Sequence, residues 1–347
     1  LEITVDAERF HDFFTKLAMP AALPATARRL LTEFTDLDVS SGEISEIIGR
    51  NPYLESVVMR VLAKRLAREE GPPSLRAAIP LLGMQATREF VLAFQLLRVV
   101  AGRKVPLDAD GVADLKAADF VKFAARAQEF AQERRFDYPD LAFAAGMLFD
   151  LVLLVGRERF GAGPKLDEAV GQAFEHGLRA ARAGVELAKT IPGFPYSKLV
   201  FAACLVHDIG KPTMELLHPP GPGSYAEFRE ATSKLDRCAR HLLETERFGL
   251  THDHYGALLV RRFGVLREAE AAVLFHHDPY LILRARPRVH PFAALVALSS
   301  NIAGAYLIPK DLNDPVFARW LTPEFKGFAV DRRLLLATMH KIGTDRF

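Results

Sequence analysis

The stretch Leu199-Val-Phe-Ala-Ala-Cys-Leu-Val-His207-Asp208-Ile-Gly-Lys211-Pro212 decides the fold. Eight apolar residues run directly into a histidine and an aspartate. A charged pair at the end of a buried helix costs free energy unless it is paired or coordinates a metal. Imidazole and carboxylate are suitable ligands for Zn, Mn or Fe. Adjacent helix positions point about 100° apart, so the pair can grip one metal from two sides or lean toward two. The chain holds four His-Asp pairs, at 11–12, 207–208, 252–253 and 277–278, and only 207–208 ends a long apolar stretch.

Further histidines gather around this pair in sequence order. His176 lies on the preceding helix, close enough for an antiparallel return to bring it beside His207. His252 and His254 open a later helix, and His276-His277 close the next. Four successive helices thus offer imidazole near an end. His11, His218, His241, His290 and His340 share no such pattern and read as surface or hydrogen-bonded residues.

Helical periodicity dominates outward from the motif, and strand-like alternation between hairpin turns is scarce. Helices are expected over 25–34 and 43–50, the second capped by Ser40 or Ser41, with a new start at Asn51-Pro52. Two more fill 75–100, divided near Gly83. Residues 103–111 read as a short linker. Two helical hairpins follow, at about 112–135 with 139–156 and 166–190 with 195–210. Helices then run over 226–247, 252–263, 266–277, 291–307 and 331–341.

The hairpins resemble each other. Ala142-Phe-Ala-Ala-Gly-Met-Leu-Phe-Asp150 aligns with Val200-Phe-Ala-Ala-Cys-Leu-Val-His-Asp208 at four of nine positions. Phe120 stands where the second hairpin has His176, and Phe149 where it has His207. The first hairpin therefore reads as a blank copy, with Phe120 and Phe149 in apolar packing and Asp150 in need of a hydrogen-bond or cationic partner. Arg126 and Arg157 are candidates by sequence proximity.

Composition narrows the function classes. The 347 residues carry 45 Lys and Arg against 43 Asp and Glu, a net charge of +2. Nothing in that balance calls for a nucleic-acid backbone or an anionic membrane. Cys204 and Cys238 make neither a disulfide framework nor a cysteine zinc site, and fit a reducing compartment. The mixed, charged N-terminal stretch is no signal peptide. The uncharged run Pro291 to Pro309 is long enough to raise the membrane question. Ser299-Ser300-Asn301 at its middle and its bounding prolines favour a buried core helix. A cytoplasmic location is expected.

His176 followed by Leu-Val-His207-Asp208-Ile-Gly-Lys211 resembles the HD superfamily of metal-dependent phosphohydrolases. Thr251-His252-Asp-His-Tyr-Gly256 and Phe275-His276-His277-Asp-Pro279 are similar to its HDOD and HD-GYP branches. Leu23-Pro24, Glu43-Ile-Ser-Glu-Ile-Ile-Gly-Arg-Asn51-Pro52 and Ala77-Ala-Ile-Pro-Leu-Leu-Gly83 resemble the HDOD module. The resemblance covers about residues 20–305. It implies an all-α fold, an HD-type helical bundle with an N-terminal HDOD-type lobe. The expected divisions are the lobe at 1–105, the degenerate hairpin at 106–165 and the metal-binding HD region at 166–347.

Carried over residue by residue, the resemblance implies that His176, His207, Asp208, His252, His276 and His277 hold a divalent ion, with Fe, Mn and Zn all open. It gives Asp208 and Lys211 catalytic roles in competent relatives, Lys211 on substrate phosphate. Two departures stand against catalysis. Ser300 replaces the family's final metal-binding aspartate, and Asp278-Pro279-Tyr280 stands where a Gly-Tyr-Pro signature would follow the doublet. Glu244 or Asp278 are the carboxylates able to compensate. The expected function is signalling or regulation through a protein partner, with weak or no catalysis and at most one tightly bound metal. The alternative is a phosphohydrolase or phosphodiesterase acting on a nucleotide or cyclic dinucleotide.

Overall fold

The computed structural model describes residues 40–52, 74–84, 121–194, 197–235, 237–277, 290–304, 310–314 and 331–344, with isolated positions at 29, 55, 56, 58, 59, 87, 88, 91 and 92. Phe120, Asp278-Pro279-Tyr280, Leu23-Pro24 and the 103–111 linker lie outside these residues. The described regular structure is helical throughout. The helices are α1 (Ser41–Gly49), α2 (Leu75–Leu82), α3 (Lys122–Glu133), α4 (Pro139–Phe160), α5 (Pro164–Ala188), α6 (Ser197–Val206), α7 (Gly210–Leu217), α8 (Tyr225–Ala231), α9 (Arg237–Phe248), α10 (His252–Phe263), α11 (Glu270–Leu274), α12 (His290–Ala303) and α13 (Arg332–Thr344).

Local chemistry sets the boundaries. Ser40 and Glu43 close a capping box on α1, satisfying two of the donors a helix start leaves open. α2 stops where Gly83 takes φ 87°. Asp331 Oδ1 accepts from the backbone N–H groups of Arg333 and Leu334 and so opens α13.

The helix expected at 226–247 is two helices. Thr232 Oγ1 donates to the Phe228 carbonyl at 2.7 Å, and Arg240 Nη2 reaches back to the carbonyls of Ser233 and Leu235. These bonds give the chain's carbonyls an alternative to a continuing helix. The helix expected to end at 210 closes at Val206 instead. After a turn in which Lys211 N–H bonds the Asp208 carbonyl at 2.9 Å, α7 begins.

α3 and α4 form one hairpin and α5 and α6 the next, with α12 laid along α5 and α7 along α10. α4 contains a stretch, Pro139–Arg157, apolar and long enough to cross a membrane by composition, but 78% of it is buried inside the protein. The run from 291 onward forms the shorter core helix α12, as expected. The N-terminal part is joined to the first hairpin by Arg88. This buried guanidinium pairs with Asp140, bonds Gln128 Oε1 at 2.6 Å and lies 4.2 Å from the centre of the Phe143 ring.

The first hairpin answers its carboxylate with backbone donors rather than with a paired side chain. Phe149 packs against Phe123 and Phe174, with ring centroids 6.1 and 5.3 Å away. Asp150 accepts from the backbone N–H groups of Phe123 at 3.0 Å and Ala124 at 2.9 Å. It is thus a cap on the start of α3, supplied from a different helix. Neither arginine candidate is its partner: Arg126 pairs with Glu129 at 2.8 Å and Arg157 with Asp167 at 2.5 Å. Among the described residues, no ligand cluster includes Asp150.

Burial pushes the Asp150 carboxyl up to about 7, against the pull of the Phe123 and Ala124 N–H groups and of Lys122. An unfolded aspartate titrates at about 3.9, so the native state holds the extra proton between these values. Its stabilising contribution is complete below about pH 4 and disappears as pH rises through about 7. Relative to Asp150→Asn, the wild type should therefore lose about 2–3 kcal/mol of unfolding free energy between pH 5 and 8. Urea unfolding of both proteins at each pH measures this, and a flat difference would refute it. Asp150→Ala leaves two backbone donors without their acceptor and should cost about 2–3 kcal/mol near pH 5.

Candidate metal centre

Two glycines bring the helices of the site together. A Cβ on Gly177 would lie 2.2 Å from the Leu205 carbonyl oxygen, so α5 presses directly on α6. A Cβ on Gly210 would lie 1.7 Å from the His252 carbonyl oxygen, so the start of α7 presses on the start of α10. The first approach places the His176 ring 5.2 Å from the His207 ring. The second brings His252 to Asp208. All six side chains expected at the site meet there. His176, His207 and Asp208 form one group of converging ligand atoms, and Asp208, His252, His276 and His277 form another. Asp208 is common to both.

The buried carboxylate of Asp208 is the hub. Its Oδ2 lies 2.5 Å from Lys211 Nζ, 3.3 Å from His207 Nε2 and 3.7 Å from His176 Nε2. Its Oδ1 lies 3.4 Å from His252 Nε2 and 3.5 Å from His276 Nε2. That oxygen is buried and makes no hydrogen bond. His277 Nε2 sits 2.8 Å from His252 Nε2.

The far nitrogen of three rings is committed to a backbone carbonyl or a carboxylate. His207 Nδ1 bonds the Cys204 carbonyl at 2.7 Å, and His276 Nδ1 bonds the Val273 carbonyl at 2.6 Å. His252 Nδ1 bonds both Glu244 oxygens at 2.9 Å. A ring that donates from Nδ1 presents its Nε2 lone pair in the neutral state, the arrangement typical of metal-binding histidines. Here those nitrogens turn toward Asp208.

Charge follows the same geometry. Burial alone would raise the Asp208 carboxyl, but His207 and Lys211 outweigh it and hold the group well below the usual carboxylate range. Burial, with help from His207, takes the His176 imidazole down to about 3. His252 moves the other way. Burial disfavours its cation, yet Glu244 and Asp208 prevail and raise it to about 9. The cluster therefore draws positive charge to His252, and a divalent ion can replace that proton. Converging imidazoles around a carboxylate with an open oxygen fit a divalent transition metal.

Ser300 stands inside the centre. Its Oγ is 3.0 Å from His207 Nε2 and 3.3 Å from His176 Nε2. Glu244 does not face Asp208. It supports His252 from behind, bonding its backbone N–H as well as its ring, and accepts from Tyr225 Oη at 3.1 Å. Asp278 lies outside the described residues. His241, read from sequence as an ordinary histidine, lies beside the centre with its ring 5.0 Å from that of His277. It bonds the buried Asp253 carboxylate at 3.0 Å, which also accepts from Thr251. The only sequence signal for this group is that His241 and Glu244 are three apart on one helix face.

The centre floors a cavity of about 680 Å³. Arg179, Lys211, Arg229, Lys234 and Arg240 line it. Arg229 is shared with Glu215 at 3.4 Å.

Comparison with known proteins gives the setting of this geometry. The profile of the HDOD domain matches twice, over residues 20–161 and 150–279, the two matches overlapping at residues 150–161 in the C-terminal half of α4 and just beyond it. No protein of curated function matches. Among solved structures, an HDOD domain protein of unknown function from Geobacter sulfurreducens is 18% identical, with 92% of this chain and 88% of that one covered and a TM-score of 0.40. A candidate phosphohydrolase from Shewanella amazonensis is 19% identical, with 98% and 95% covered and a TM-score of 0.37. The response regulator MmoQ from Methylococcus capsulatus is 17% identical, with 93% and 96% covered and a TM-score of 0.33. With its matched segments together spanning most of the sequence, the chain belongs to the HDOD domain family.

Proposed function

We propose that this protein is a cytoplasmic signalling component that holds a divalent metal ion, Fe, Mn or Zn, among His176, His207, Asp208, His252, His276 and His277. It hydrolyses phosphodiesters weakly or not at all and acts through a protein partner. The observation that carries the metal reading is the set of tethered rings turned toward one buried carboxylate whose Oδ1 has no hydrogen bond. Such an ion would supply Lewis acidity and a more acidic bound water. The residues around it have their own tasks. Glu244 orients His252, Cys204 and Val273 carbonyls orient His207 and His276, and Lys211 meets an incoming anion from the cavity side.

The reading of weak turnover rests on charge. Among the described residues, Asp208 is the single carboxylate in the ligand groups. Imidazoles bring no negative charge, and Ser300 brings none where a second carboxylate would. Neutral ligands hold a second divalent ion less well. The cationic lining of the cavity favours a second reading, a metal-dependent phosphodiesterase acting on a nucleotide or cyclic dinucleotide.

Elemental analysis of protein purified without chelator should find a divalent metal, and His207→Ala and Asp208→Ala should each lose it. Turnover of cyclic-di-GMP, cyclic AMP and a generic phosphodiester with added Mn, Fe or Zn should stay near background. Robust turnover abolished by those two substitutions would make the protein an enzyme. Metal-free wild type from several expression conditions would remove the metal reading. Glu244→Gln keeps the shape but loses the charge behind His252. It should weaken metal binding about 10- to 100-fold with helix content unchanged by circular dichroism.

A further inference from the structure

The two oxygens of Asp208 have different neighbours, and the difference divides the centre. The Oδ2 side already has a cation and a hydroxyl. Lys211 Nζ is 2.5 Å away. His207 Nδ1 donates to the Cys204 carbonyl, and its Nε2 lies 3.0 Å from Ser300 Oγ. The same hydroxyl oxygen lies 3.3 Å from His176 Nε2. A divalent ion entering here would displace the Ser300 bond from His207 and sit against the Lys211 ammonium. The Oδ1 side differs. That oxygen is buried without a hydrogen bond, between His252 Nε2 and His276 Nε2, with His277 Nε2 2.8 Å from His252 Nε2. Nitrogen donors this close, with an open carboxylate oxygen, suit a transition-metal ion.

Resting on the metal reading above, we propose that the centre takes one divalent cation on the Oδ1 side of Asp208, with His252, His276 and His277. On the Oδ2 side the Lys211 ammonium and the Ser300 hydroxyl stand in for a second cation. An anionic group entering the cavity then meets one metal ion and one ammonium, flanking a single carboxylate. Lys211 reaches the cavity, its side chain retaining 29% of its accessible surface while Asp208 retains 3%.

Chelator-treated full-length protein titrated with zinc by calorimetry tests the stoichiometry, and anomalous diffraction from zinc-loaded crystals tests the position. One equivalent is expected, with its peak at His252, His276, His277 and Asp208 Oδ1 and none beside His176. His277→Ala should weaken zinc at least tenfold, and by more than His176→Ala does. The double variant Lys211→Met/Ser300→Asp should take a second equivalent. If circular dichroism shows that it does not fold, Ser300→Asp alone carries that arm. Two equivalents in the wild type, a peak beside His176, a larger loss for His176→Ala, or a variant still at one equivalent would each overturn the division. Wild type that takes no zinc at all would instead overturn the metal reading on which the division rests.

Discussion

A carboxylate with almost no access to water organises this protein. Asp208 follows a helix whose last seven residues, Val200 to Val206, are all buried, so its charge must be answered inside the core. Leaving such a charge unanswered is among the most costly defects a core can hold. The answer comes from His207 beside it and from four other elements: α5 with His176, α7 with Lys211, α10 with His252, and the segment after α11 with His276 and His277, while Ser300 of α12 bonds His207. None of these side chains is close to Asp208 by sequence except His207 and Lys211. Packing of the helices around the second hairpin is therefore tied to one charge, and the tight approaches at Gly177 and Gly210 are what allow the side chains to reach it.

The two hairpins answer the same demand by different physics. Asp150 ends the matching apolar stretch and is equally short of water, but it takes two backbone N–H groups at the start of α3. Those donors belong to a helix terminus and have no partner within their own helix. In the second hairpin the first helix runs through that region unbroken from Pro164 to Ala188, so its backbone donors are already used. Side chains must serve instead, and histidines with a lysine do so. Where the first helix starts thus separates a carboxylate that caps from one that gathers imidazoles. Phe149 in place of His207 completes the contrast, filling its position with an aromatic cluster.

Much of this was legible in the sequence because it depends on pattern. The apolar run before His207-Asp208, the capping serine before α1 and the break at Gly83 each have a local cause and appear where read. The set of six ligand-type residues was implied by the family resemblance, with histidines on successive helices in support, and the structure places them together, His176 from mid-helix rather than from a helix end. What escaped depends on contacts across the fold. No sequence rule pairs Asp150 with the backbone of Phe123, so charge suggested two arginines that are engaged with Glu129 and Asp167. At the break after Thr232, Arg240 reaches back over the turn to two carbonyls, a contact with no local signature. His241 had no motif around it, and only the fold sets it against His277 and Asp253.

Ser300 shows how one residue changes the balance of the whole cluster. An aspartate there would add a second negative charge beside Asp208, and the pair would repel unless cations separated them. With serine, Lys211 alone suffices on that side, and the hydroxyl satisfies His207 without charge. Further negative charge lies one layer out, with Asp253 against His241 and with Glu244, which acts on His252 through the ring. Positive charge is thereby drawn to the His252 side of Asp208 and is already supplied on the Lys211 side. The asymmetry does not need a distorted backbone or a moved helix. It follows from the different neighbours of two oxygens on one buried carboxylate, a lysine ammonium at Oδ2 and imidazoles at Oδ1.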